Sequence, residues 1–283
     1  MKIRRPHVAN AFYEGNKTSL EKQIASCFTH RLGPGHIPDL AVGQKRILGI
    51  IVPHAGYLYS GPVAAHSYAQ LASDGAPETV VILGPNHTGL GSGVSIVTKG
   101  AWETPLGVAS IDTKLAEQIR NSSSIIDDDE SAHITEHSIE VQLPFLQYLY
   151  GEKVSFVPIC MMMQDLQTSQ DIARSIEKCS RGIRVVVIAS SDFTHYEPQA
   201  IAARKDKTAI DAIIDLDSEK LNELGEAGRV TMCGYGPITT LIELAKREDN
   251  VHAKLLAYHT SGDVTNDPGS VVGYSAFSFT RYQ

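Results

Sequence analysis

Six short, almost unbroken apolar runs limit what this chain can fold into: residues 46–52, 79–83, 154–159, 185–189, 254–258 and 271–279. Helical patterns over 63–71, 115–119, 138–150, 166–178, 201–214 and 238–247 lie among them. A first helix over 19–28 opens on Thr18-Ser19-Leu20-Glu21, which has capping-box spacing. Continuous rather than alternating apolarity marks strands covered on both faces. The sequence therefore predicts an α/β chain: a single three-layer α/β/α domain over 1–283, with a mostly parallel or mixed central sheet. Only 271–279 alternates in the way an antiparallel strand would. No internal repeat or linker divides the chain.

Composition narrows the function classes. With 42% hydrophobic and 20% charged residues, 283 residues can bury a substantial core. Twenty-five Lys and Arg against 32 Asp and Glu leave a charge of −7, which argues against nucleic acid or an anionic membrane as partner. The apolar runs fall well short of the ~20 residues a membrane span needs. No apolar stretch follows the charged start Met1-Lys2-Ile3-Arg4-Arg5, so no secretory leader is expected. Four cysteines without a C-x-x-C pair make no disulfide framework and fit a reducing cytoplasm.

Histidines recur where the strands end, which is where open α/β sheets bind ligands. His54 lies in Pro53-His54-Ala55-Gly56-Tyr57 and His87 in Gly84-Pro85-Asn86-His87. His195 closes Ser190-Ser191-Asp192-Phe193-Thr194-His195, and His259 follows Leu256-Ala257-Tyr258. One histidine after a strand is ordinarily a polar loop residue; several at equivalent positions point to a metal, for which neutral imidazole is a common ligand. Cys233 precedes a helix opened by Pro237, whose positive end would favour thiolate. The alternative is an inert buried thiol, the reading adopted for Cys27, Cys160 and Cys179.

His133-Ile134-Thr135-Glu136-His137 matches H-x-x-E-H, the pattern of inverted zinc peptidases. The apolar stripe of the next helix begins only at Ile139, however, so His133 precedes it. Glu136 and His137 are instead expected at a helix start facing the cleft. Met161-Met162-Met163 reads as edge packing. Gly89 to Gly93 lacks the dinucleotide spacing, and there is neither a Walker A sequence nor a G-x-S-x-G elbow.

Taken together, Pro53-His54-Ala55-Gly56-Tyr57, Gly84-Pro85-Asn86-His87, Glu136-His137-Ser138-Ile139-Glu140, the 190–195 block and Met232-Cys233-Gly234 resemble the Memo family. The opening Arg4-Arg5-Pro6 followed by Phe12-Tyr13 is also similar to that family's start. The resemblance implies a fold like that of class III extradiol dioxygenases, which are non-haem iron enzymes. It implies metal ligands at His54, His87 and Cys233. It also implies catalytic roles for Asp192 and His195, with His195 as the acid/base group oriented by Asp192 or a backbone carbonyl. The dioxygenases carry a carboxylate where this chain offers Cys233, and soft thiolate shifts preference towards copper, zinc or thiolate-ligated iron. A link to a radical-SAM protein is a further implication.

The expected function is a metal-dependent redox enzyme with one mononuclear ion, iron or copper before zinc. Tyr59, Asn86, Glu136 and His137 would contact a small-molecule or peptide substrate. Two alternatives stand beside it: a non-catalytic module binding a peptide or phosphopeptide in the same cleft, and a zinc-dependent hydrolase.

Overall fold

The computed structural model describes residues 2–41 and 43–282. The amino-terminal half runs β1 (Ile3–Arg4), α1 (Lys17–Thr29), β2 (Ile47–Val52), α2 (Tyr57–Asp74), β3 (Thr79–Pro85), β4 (Val94–Ile96), β5 (Ala101–Thr104), β6 (Gly107–Ser110), α3 (Thr113–Ser122) and β7 (Asp127–Asp128). Then follow α4 (Leu143–Tyr150), β8 (Ser155–Met161), α5 (Leu166–Cys179), β9 (Val185–Ser190), β10 (His195–Glu197), α6 (Gln199–Ile214), α7 (Ser218–Glu226), α8 (Tyr235–Ala245), β11 (Val251–Thr260), α9 (Gly262–Thr265) and β12 (Val271–Arg281).

Among the described residues, nine strands form one mixed sheet in the order β10-β12-β2-β9-β3-β8-β4-β7, with β11 paired to β12. Its centre, β2-β9-β3-β8, is parallel throughout. Every residue of β2, β3 and β9 is buried, as their unbroken apolarity requires. One helix group, α1, α2 and α4, packs together on the sheet, and a second, α5, α7 and α8, packs on it separately. β12 is antiparallel to both β2 and β11, which fits its alternating pattern. The mixed α/β architecture is therefore the one expected.

The differences have physical causes. The helix expected over 138–150 splits into a 3-10 turn at Glu140–Gln142 and α4, because the Glu140 carboxylate is pulled to the amino-terminal segment. α2 begins at Tyr57, ahead of the expected 63–71, and carries Pro62 within it. A separate three-stranded sheet, β1-β5-β6, is made of strands too short to leave a pattern in the sequence. Among the described residues, no helix is long and apolar enough to cross a membrane.

Candidate metal centre

The carboxyl ends of the adjacent strands β2, β9 and β3 deliver three loops to one edge of the sheet. Val52-Pro53 carries His54, Ser190-Ser191 carries Asp192, and Pro85-Asn86 carries His87. Cys233 arrives from the segment before α8. Two glycines permit this convergence: a Cβ at Gly234 would collide with the Ser190 carbonyl oxygen, and one at Gly84 with Ser138 Oγ. One donor atom from each of His54, His87 and Cys233 lies within 4.8 Å of the other two. His54 Nε2 is 3.1 Å from Cys233 Sγ.

Hydrogen bonds behind the rings fix which nitrogen faces inward. Ser190 Oγ–H donates to the Ser138 carbonyl (2.8 Å), and Gln142 Nε2–H donates to Ser190 Oγ (2.9 Å). The Tyr68 hydroxyl donates to Gln142 Oε1 (2.8 Å), which sets the orientation of that amide. Ser190 Oγ is left to accept from His54 Nδ1–H at 2.8 Å. His54 therefore turns an Nε2 lone pair towards Cys233. His87 is held in the same sense by a carboxylate: Nδ1–H donates to Glu136 Oε1 (2.9 Å), and its backbone N–H donates to Glu136 Oε2 (2.6 Å).

Burial tunes these groups. It presses His54 well below the ordinary imidazole range, helped by His137, His87 and His195, so the ring is neutral. Burial pushes Glu136 up, but the His87 hydrogen bond and charge and the Ser138 N–H outweigh it and hold the carboxylate at about 2. Burial, then the Asp192 carboxylate, push the Cys233 thiol up. The direction is opposite to the expected thiolate; a bound cation would supply the charge that releases the proton.

The donor set fits a transition-metal ion on these observations. Two imidazoles, each braced through Nδ1, stand beside one sulfur. His54 is buried, Cys233 half-buried and His87 exposed, so the third side of the site opens to solvent.

The other expected residues are placed variously. His195 Nδ1–H donates to the Thr231 carbonyl (2.8 Å), and its backbone N–H to Thr231 Oγ1. The carbonyl, rather than Asp192, thus holds the ring. Asp192 Oδ1 instead accepts the backbone N–H groups of His54 (2.8 Å) and Ala55 (3.3 Å), and burial raises this carboxyl. His137 stacks on His87 and meets Phe12 at a tilt, with ring centroids 4.6 and 4.7 Å away, and burial lowers it to about 4.

Glu136 is fully engaged by His87, His137 and Ser138 N–H groups, a brace rather than a substrate contact. Asn86 is likewise tied into its own loop: Oδ1 accepts from Thr88 and Gly89, and Nδ2 donates to the Leu90 carbonyl. Tyr59 is exposed, as is Tyr196. His133 turns away from His137: its Nε2–H donates to the Ser95 carbonyl (3.2 Å) and its ring meets Trp102 edge-on, so the H-x-x-E-H pattern assembles no peptidase site. β11 is separated from β2 by β12, and His259 lies 3.7 Å from Asp263, outside the cluster.

Sequence reasoning missed Ser190, Gln142 and Thr231 as braces. It also missed Asp206, which accepts from the Thr194 N–H and the Tyr258 hydroxyl and so steadies the loop that leads into His195. The doubled serine before Asp192 was the one local signal.

A family model described as Memo-like protein matches residues 4–278. The chain belongs to the Memo family. A MEMO1 family protein of Methanopyrus kandleri is 50% identical over 280 residues, covering 98% of this chain and 99% of its own. Another from Methanothermobacter thermautotrophicus is 50% identical over 279 residues, covering 98% and 100%. Among solved structures, an uncharacterized protein of Escherichia coli K12 superposes on this Memo-family chain with a TM-score of 0.55 at 13% identity, over 82% of this chain and 99% of that one. At that identity the likeness concerns the fold alone.

Proposed function

We propose that this Memo-family chain is a metal-dependent redox enzyme holding one iron or copper ion on His54 Nε2, His87 Nε2 and Cys233 Sγ. The observation that carries the reading is the convergence of those three donor atoms, with each imidazole braced from behind. A bound iron or copper would supply electron transfer at a position open to solvent.

The chain's own residues supply the rest. With Nδ1–H on the Thr231 carbonyl, His195 keeps Nε2 free to take and return a proton beside the centre. Asp192 fixes the backbone at His54 and Ala55 and so the direction of the ligand ring. Tyr59, His137 and the exposed Tyr196 offer aromatic surface to a substrate at the open side. The four free cysteines suit a reducing cytoplasm.

Metal analysis after anaerobic purification tests the reading, with His87→Ala and Cys233→Ser alongside. Near-stoichiometric iron or copper, lost from both variants, together with oxygen consumption on reduction, supports it. Full zinc content, with a hydrolytic activity indifferent to oxygen, would replace it by a hydrolase. No metal after reloading of a folded protein would leave a binding module.

A further inference from the structure

Away from the metal centre, a cavity of about 300 Å³ lies between the amino-terminal segment, the loop joining β4 to β5 and the turn at 130–134. We propose that it is a second ligand site, one that takes a small organic anion with an apolar or aromatic body. Its volume stands at the lower end of small-molecule sites. None of His54, His87 or Cys233 lines it.

The charge of the wall selects an anion. Lys2, Arg4, Arg5 and Lys99 face a single carboxylate, Glu130, in a chain whose net charge is −7. Arg4 is committed elsewhere: it donates to Glu140 (2.7 Å), to the His133 carbonyl (2.6 Å) and to the Glu136 carbonyl (2.8 Å), and its guanidinium covers the Trp102 ring at 4.2 Å. The other three remain available. Arg5 is exposed and has no carboxylate partner among the described residues. Lys2 meets Glu130, and Lys99 meets Glu117, only in exposed pairs, which hold their partners weakly.

The apolar part of the wall selects the body. Val97 and Trp102 are buried behind the cavity, and Ile134 stands 59% exposed at its lip. The preceding residue, His133, is 1% exposed and lines the same space. A bare inorganic anion would leave Ile134 uncovered, and an uncharged apolar molecule would leave Arg5 unanswered. A polyanion such as nucleic acid exceeds both the volume and the charge on offer. An amphipathic monoanion satisfies the wall on both counts.

Trp102 is the chain's single tryptophan and reports on this cavity directly. The probe is anilinonaphthalene sulfonate, an aromatic monoanion, titrated into the whole protein with tryptophan excitation. The site predicts saturable one-to-one binding with quenching of Trp102 and energy transfer to the probe. It predicts about tenfold weaker binding to the Arg5→Glu/Lys99→Glu variant, whose exposed positions leave folding intact. Uncharged phenylnaphthylamine should also bind about tenfold more weakly, Ile134→Ser should weaken the sulfonate, and Cys233→Ser should not. Binding without quenching of Trp102, equal binding of the two probes, or indifference to the double charge reversal would overturn the proposal. So would loss of binding in Cys233→Ser, which would place the probe in the metal centre.

Discussion

Glu136 grips His87 twice, through the ring Nδ1 at 2.9 Å and through the backbone N–H at 2.6 Å. The carboxylate therefore fixes both the direction of the imidazole and the loop that carries it, and its charge strengthens Nε2 as a donor. Glu136→Gln keeps the shape and removes the charge. Metal affinity, measured by competition with a chromophoric chelator, should fall about 10–100-fold. An unchanged affinity would show that His87 takes nothing from its partner.

His54 is braced by a neutral hydroxyl instead. Ser190→Ala leaves His54 Nδ1–H and the Gln142 amide without their shared acceptor in a buried setting. Stability in urea should drop by about 1–3 kcal/mol. Nitrogen NMR of the metal-free protein should then show a mixture of His54 tautomers where the parent shows one. A single unchanged tautomer would mean that Cys233 alone sets the proton.

Arg4 and Glu140 form a buried ion pair at 2.7 Å, with Glu140 wholly enclosed. Glu140 also accepts from the backbone N–H groups of His7 and Val8 and from the Tyr13 hydroxyl (2.7 Å). Arg4→Met strands this carboxylate and should cost about 3–5 kcal/mol in urea denaturation. Adding Glu140→Gln should recover part of that, since the stranded charge disappears. A loss below about 1 kcal/mol for Arg4→Met would contradict the clamp.

Acid should weaken the metal-free fold through His133. Burial lowers its pKa from 6.5 to about 4. Because the folded value is the depressed one, its contribution is fully present above pH 6.5 and is lost as pH falls from 6.5 through about 4. The shift corresponds to a loss on the order of 3 kcal/mol. His133→Phe should flatten the urea midpoint against pH in that window; an unchanged slope would assign the acid sensitivity elsewhere.

The central sheet was legible because β2, β3, β8 and β9 are buried on both faces and must be apolar throughout, and their ends announce His54, His87 and Asp192. What the sequence could not convey was partnership across the fold. Glu136 looked like a substrate contact, yet its oxygens are taken by a ring 49 residues away. Asn86 sits beside a ligand but is consumed by an Asx turn, a local competition visible only once the loop path is known. Cys233 stands before a helix N-terminus as expected, but burial and the Asp192 carboxylate push its thiol up. His259 also ends a strand, and only the order of strands reveals that β12 separates it from the centre.

X-ray absorption at the metal edge of the iron- or copper-loaded protein tests the ligand set most directly. One sulfur neighbour beside nitrogen neighbours is expected, with the sulfur vanishing in Cys233→Ser. A shell of nitrogen and oxygen alone in the parent protein would contradict it.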